Sequence, residues 1–419
     1  MKTVVILAVI SFAWILPASS EPPASPEPGL LDLAARSREA RVAGDHAAWL
    51  EHGLAALARA PDHPELLLSA ARAYAASRRR AEALDLLGQA VRRGARVDLS
   101  AYPEFEDLAA DERFAAIAVQ ARDNLRPVAP PEEFLVIEDV SIEPEGIGYD
   151  ELSGRLFIGS LDGTVWQIDM DGRLARFAGP GSGLQEVLGL KVDPERRLLW
   201  AATGVFPDPY SPEQKPGAGR SGLVALHLDD GRRVRDCWLD ERPAMHGFND
   251  MAIAADGDVY ASDSTANSIY RLPAGTCRFE RVIEDARMSF PNGIALSADD
   301  ARLYVAHIEG LSVIDLADGR RAALAVPANA TTSSIDGLVR DGEDLIGIQP
   351  SQNLARVIRI RLVDGGTAVR DVTTVSAPPP PGLTATTGAV AGAHYYSVAG
   401  ATDAQTKDRR ARILRARLR

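Results

Sequence analysis

The sequence predicts a mainly β protein, a six-bladed β-propeller preceded by a small α-helical domain. Three observations carry this. A four-beat pattern of polar residue, apolar run, polar turn and second apolar run recurs from Pro144 onward. Its copies beginning at Asn249, Asn292 and Asp336 are spaced 43 and 44 residues apart, the interval expected of propeller blades. Residues 29–125 are instead rich in Ala, Leu and Arg at helical spacing.

Met1–Ser20 has one lysine, a short apolar core and small residues at its end. It reads as a signal peptide, so the mature protein is expected to be exported, periplasmic or secreted. Residues 21–28 form a proline-rich tether with no core residues. In the helical domain, Leu50/Leu84, Ala56/Ala90, Leu57/Val91 and Arg59/Arg93 match at an offset of 34, resembling tetratricopeptide repeats. Two such repeats are too few to stand alone, so the helices either lean on the propeller or recruit a protein partner. Residues 126–133 are a proline-containing linker.

The propeller is expected over 134–419, with blades beginning at Glu145, near Gly189, at Asn249, Asn292 and Asp336, and near Gly388. The last blade has only three evident strands, and Phe134–Glu138 is a strand without a blade. Pairing it with Arg412–Leu418 closes the ring and protects both edges. A formal net charge of −12 argues against nucleic acid as a partner, and no later segment is long and apolar enough to span a bilayer. Cys237 and Cys277 lie 40 residues apart, close to one repeat. That spacing puts them on equivalent outer strands, which splay too far apart for a disulfide.

Equivalent positions of successive blades share one height around a central channel. Glu145, Asn249, Asn292 and Asp336 therefore converge on the axis, an all-oxygen set of two carboxylates and two amides. Such a set suits a hard divalent cation, calcium before zinc. Second strands return to the same face, so Ser160, Thr203, Asp263, His307 and Gln349 are expected to ring the pocket mouth. Blade two carries an insertion, Val205–Ser221, which is either a lid on that face or a tolerated surface insertion.

Pro144-Glu-Gly-Ile147, Phe248-Asn-Asp250, Pro291-Asn-Gly-Ile294 and Ile335-Asp-Gly-Leu338 resemble the gluconolactonase/regucalcin family of six-bladed propellers over 134–419. The resemblance implies that Glu145, Asn249, Asn292 and Asp336 hold calcium and that Asp336 doubles as general base or nucleophile. It also exposes a departure. Where sugar lactonases carry a substrate-holding Arg, this chain has Gly247, with His246 one residue earlier on the rim. His307 is the one histidine considered for proton transfer, the alternative being a rim histidine with no catalytic task. No phosphate-cradling glycine loop, zinc-type Cys/His cluster or nucleophile elbow is present. Two readings follow. One is a calcium-dependent hydrolase of a lactone, ester or phosphotriester. The other is a non-catalytic, metal-stabilised propeller that binds a small ligand or, through its helices, a protein.

Overall fold

The computed structural model describes residues 28–179, 181–207, 213–402 and 406–418. The expected signal peptide and residues 21–27 of the tether lie outside them. Among the described residues five helices come first: α1 (Leu30–Ala43), α2 (His46–Arg59), α3 (Pro64–Ala76), α4 (Arg80–Arg92) and α5 (Glu112–Leu125). Gly44, at φ 73°, closes α1, and the Asp45 carboxylate accepts the Ala48 N–H at 3.0 Å to start α2. Pro64 opens α3, where its missing N–H costs nothing. Leu67, Leu84, Leu87, Phe105 and Leu108 meet in the core of this domain.

Twenty-four strands among the described residues then form six antiparallel sheets of four. The first strand, β1 (Glu132–Val136), belongs to the last blade. Blade one is β2 (Pro144–Asp150), β3 (Arg155–Ser160), β4 (Val165–Ile168) and β5 (Leu174–Ala178). Blade two is β6 (Glu186–Asp193), β7 (Leu198–Gly204), β8 (Ser221–His227) and β9 (Arg233–Leu239). Blade three is β10 (Phe248–Ile253), β11 (Val259–Asp263), β12 (Ser268–Leu272) and β13 (Glu280–Glu284). Blade four is β14 (Ile294–Leu296), β15 (Arg302–His307), β16 (Gly310–Asp315) and β17 (Arg321–Ala323). Blade five is β18 (Leu338–Asp341), β19 (Asp344–Gln349), β20 (Arg356–Val363) and β21 (Ala368–Ser376). Blade six is β22 (Leu383–Ala391), β23 (His394–Ala401) and β24 (Arg412–Arg417), completed by β1.

Ring closure follows the expected pairing: Glu132 faces Arg415 and Val136 faces Arg412 across an antiparallel ladder. Apolar side chains from neighbouring sheets pack between blades, as where Phe157, Val187, Leu199 and Val224 meet.

The disulfide expectation is overturned, because Cys237 and Cys277 are bridged with their Cα atoms 5.0 Å apart. The error lies in the repeat alignment. Cys237 is on β9, the outer strand of blade two, whereas Cys277 lies in the turn between β12 and β13 of blade three. The long insertion in blade two shifts its outer strand relative to the next repeat, so a spacing of 40 does not mean equivalent places.

The helices lean on the propeller. Leu30, Leu33, Ala56, Ala60 and Leu66 pack with Ile308, and Phe290 joins the edge of that cluster. His63 Nε2 lies 2.9 Å from Ser334 Oγ, and the Arg96 N–H donates to Asn353 O at 2.7 Å. These contacts lie on the face where second strands end and inner strands begin.

Candidate metal centre and channel mouth

The inner strands carry the centre, and their backbone explains its spacing. Register shifts fall between Pro144 and Ile147 in β2, Val187 and Gly189 in β6, Phe248 and Met251 in β10, and Ala385 and Gly388 in β22. A bulge re-aims the side chain it carries. Here the bulged residues include Glu145, Leu188, Asn249 and Thr386. In blades four and five the equivalent residues, Asn292 and Asp336, stand just before β14 and β18. The axial ring is therefore Glu145, Leu188, Asn249, Asn292, Asp336 and Thr386.

The glycine after several of these residues serves proximity, not a turn. A Cβ on Gly146 would lie 2.7 Å from Leu188 O, and one on Gly337 would lie 2.7 Å from Thr387 Cα. Consecutive inner strands touch there: the Gly293 N–H donates to Asp336 O at 2.8 Å, and the Gly337 N–H to Thr386 O at 2.9 Å. The Asn292-Gly293 and Asp336-Gly337 pairs thus mark the tops of inner strands.

Glu145, Asn249, Asn292 and Asp336 are each 5–8% exposed. The Asn292 side chain hydrogen-bonds Asp336, and Thr386 bonds Glu145. The Asn249 amide donates to Ser264 Oγ at 3.1 Å, and Ser264 Oγ donates to Pro291 O at 2.6 Å. Burial lifts the Asp336 carboxyl to about 7, against the hydrogen bond from Asn292. Burial first, then the charge of Asp336, pushes Glu145 well above the carboxylate range.

Among the described residues no ion pair reaches either carboxyl; the Lys191 ammonium lies instead 3.2 Å from Asp250. No three His, Cys, Asp or Glu side chains cluster as a metal site among the described residues, so a cation here depends on the amide oxygens. With that condition the residues fit a hard cation. The charge of Asp336 raises the cost of ionising Glu145, that of Asp250 raises it for Asp336, and the neighbouring amide and hydroxyl groups carry oxygen atoms of the kind a hard cation takes.

The sequence reading passed over three groups nearby. Asp250 takes the place occupied by glycine in blades one, two, four and five; Thr386 could have been found by aligning Thr-Thr-Gly388 with the other repeats. The Tyr395 hydroxyl is fully buried with no hydrogen-bond partner, and the charges of Asp250 and Asp336 act on it.

Residues ending the second strands are placed differently from the expected rim. They clasp the loop that enters the inner strand. The Glu143 N–H donates to Ser160 Oγ at 3.1 Å, the Gln185 N–H to Thr203 Oγ1 at 2.8 Å, and the Gly247 N–H to Asp263 Oδ1 at 2.9 Å. Gln349 donates to Ser333 O and accepts from Arg356. His307 has both ring nitrogens engaged, with Glu309 at 2.8 Å and Ser312 at 2.8 Å, which leaves none for a substrate. His246 Nδ1 donates to Asp263 Oδ2 at 2.6 Å. Its Nε2 lies 3.7 Å from Glu241, and its ring meets Tyr270 edge-on, so the pair faces the outer strands rather than the axis.

The blade-two insertion reaches the mouth. The Phe206 N–H donates to Glu186 at 2.8 Å, Lys215 pairs with Glu186 at 2.6 Å, and the Phe206 ring lies 6.2 Å from that of Phe290. Residues 208–212 of the insertion are outside the described residues. A Cβ on Gly247 would lie 2.6 Å from Thr265 Oγ1 and 2.7 Å from Phe206 Cε2, so those two side chains fill the space beside it. A cavity of about 360 Å³ opens on the same face between blades five and six, lined by Pro378–Pro381, Thr384 and Ala385. None of the four axial oxygen residues lines it.

No family profile matches the chain, and no curated protein matches it in sequence. Solved structures do align. Regucalcin from Agrobacterium tumefaciens, described as a calcium-binding protein, aligns over 70% of this chain and 98% of its own at 16% identity, with a TM-score of 0.49. The PQQ-bound aldose sugar dehydrogenase of Streptomyces coelicolor covers 70% and 100% at 15% identity and 0.46. Virginiamycin B lyase from Staphylococcus aureus covers 66% and 86% at 15% identity and 0.44. Likenesses this loose assign no function. The six four-stranded blades are evident from the strand pairing itself.

Proposed function

We propose that this chain is an exported, calcium-dependent hydrolase acting on a lactone, ester or phosphotriester at the channel axis. The observation that carries the reading is the pair of buried carboxyls, Glu145 and Asp336, held with two amides and lacking a cationic side-chain partner among the described residues. A divalent cation on Glu145, Asn249, Asn292 and Asp336 would supply positive charge against a carbonyl or phosphoryl oxygen.

The chain's own groups do the rest. Asp336, held ionised by such a cation, would accept the proton of an attacking water. Water adds at the acyl carbon or phosphorus, the bond to the leaving oxygen breaks, and that oxygen regains the proton. Asn292 holds the Asp336 carboxyl in one orientation, and Thr386 does the same for Glu145. The neighbouring cavity, walled by prolines, offers room for an apolar substituent. Export is supported by the character of Met1–Ser20 and by the bridge between Cys237 and Cys277, which suits an oxidising compartment. Among the described residues no helix is long and apolar enough to cross a membrane.

The non-catalytic reading is favoured by one feature, the filled space at Gly247, where no side chain can reach out to hold a sugar. A turnover screen separates the two. Lactones, aryl esters and phosphotriesters are offered with and without calcium to wild type and Asp336→Asn. Loss of the water-activating group should lower the rate about 10²–10⁴-fold, without rescue by saturating calcium. Equal rates in both proteins on every substrate would leave the binding propeller.

A further inference from the structure

A second cavity, of about 310 Å³, lies between the helices and the propeller, and neither axial carboxyl lines it. Its helical wall carries Arg38, Arg41, Arg72 and Glu65, and its propeller wall carries Gln352 and Asn353. The volume is at the small end of ligand pockets, which run from about 300 Å³ upward. Arg72 is held rigidly: it pairs with Glu104 at 2.8 Å and lies over the rings of Tyr102 and Trp49. A guanidinium fixed in this way is preorganised for an oxyanion.

Glu65 is the unusual member. It is buried, with Oε1 taken by Ser351 and Asn353 of the propeller, while Oε2 has no hydrogen-bond partner. A buried carboxyl oxygen left unpaired is costly, and a ligand group bonded to it removes that cost. Gly53 keeps the floor open, since a Cβ there would lie 3.2 Å from Ser37 Oγ. Leu66, Leu68 and Ala34 add an apolar wall.

We propose that this cavity binds a small hydroxy acid, its carboxylate taken by Arg41 and Arg72 and a hydroxyl by Glu65. The guanidinium groups call for an anion. The Glu65 carboxyl and the apolar wall disfavour a bare phosphate dianion and favour a molecule with hydroxyl donors and a carbon skeleton. Because the walls come from both domains, the bound acid clamps the helices to the propeller.

The test uses the full chain in EDTA, titrated calorimetrically with D-gluconate, with L-malate and inorganic phosphate alongside. Gluconate or malate is expected to bind once per chain and to raise the melting temperature. Arg41→Gln, at a half-exposed position, should weaken binding about tenfold or more, the loss expected for a charge-assisted bond. If that variant fails to fold, Gln352→Ala, on an exposed side chain of the other wall, should weaken it instead. Asp336→Asn should leave the affinity unchanged, which separates this cavity from the axial site. The proposal is overturned if neither acid binds at millimolar concentration, if Arg41→Gln and Gln352→Ala bind as wild type does, or if Asp336→Asn abolishes binding. Phosphate binding as tightly as the acids would also overturn it.

Discussion

At the scale of single residues, Asp336 and Glu145 make the molecule sensitive to pH in a defined direction. A carboxyl whose pKa is higher folded than unfolded binds an extra proton between the two values. Stability therefore falls as pH rises from the ordinary carboxylate range toward about 7, where burial holds Asp336. Glu65, also raised to about 7 by burial, acts in the same sense, whereas His63, lowered to about 4 by burial, acts oppositely. Comparison with Asp336→Asn cancels both. Metal-free wild type should lose melting temperature between pH 5 and 8 more steeply than Asp336→Asn, and calcium should remove the difference. Parallel curves for the two proteins would contradict the axial assignment. The shared place of Glu145, Asn249, Asn292 and Asp336 at the start of inner strands was legible from blade periodicity. The surroundings of His307 and the other second-strand ends were not. Periodicity gives their height but not whether they face the mouth or the entering loop, and the hydrogen bonds of Ser160, Thr203 and Asp263 to that loop decide it.

At the scale of the element, the inner strands are spaced by glycine. A Cβ at Gly293 would collide with Asp336 O and Leu338 N, backbone atoms with nowhere to move. Gly293→Ala should therefore destabilise by about 1–3 kcal/mol, as overpacking does. It should also weaken calcium binding, because Asn292 and Asp336 are pushed apart. Urea unfolding with unchanged midpoint would refute the close approach. The sequence offered the glycines but disguised their purpose, since Asn-Gly is the commonest hairpin signal. Phe290 and Ser334 each stand two residues before an axial residue at positive φ, 57° and 53°. These are the loops the helices touch.

At the scale of the whole molecule, ring closure by β1 makes the segment after the helices part of the propeller. Deletion through residue 140 removes β1 and leaves β24 with an open edge. That variant should melt well below the full-length protein or aggregate, and cooperative melting near the full-length temperature would contradict closure. The closing strand was readable because three strands in the last blade require a fourth. The docking of the helices was not, because their apolar face could as well have met a partner. Its position on the mouth face brings the helical domain close to the loops that precede Asn292 and Asp336. The proposed activity depends on a cation at the axis, and calcium titration calorimetry on metal-free protein tests that most directly. Wild type should bind one calcium per chain, and both Glu145→Gln and Asp336→Asn should weaken it at least about tenfold, the loss of a charged oxygen ligand. No binding by wild type, or equal binding by all three, would contradict it.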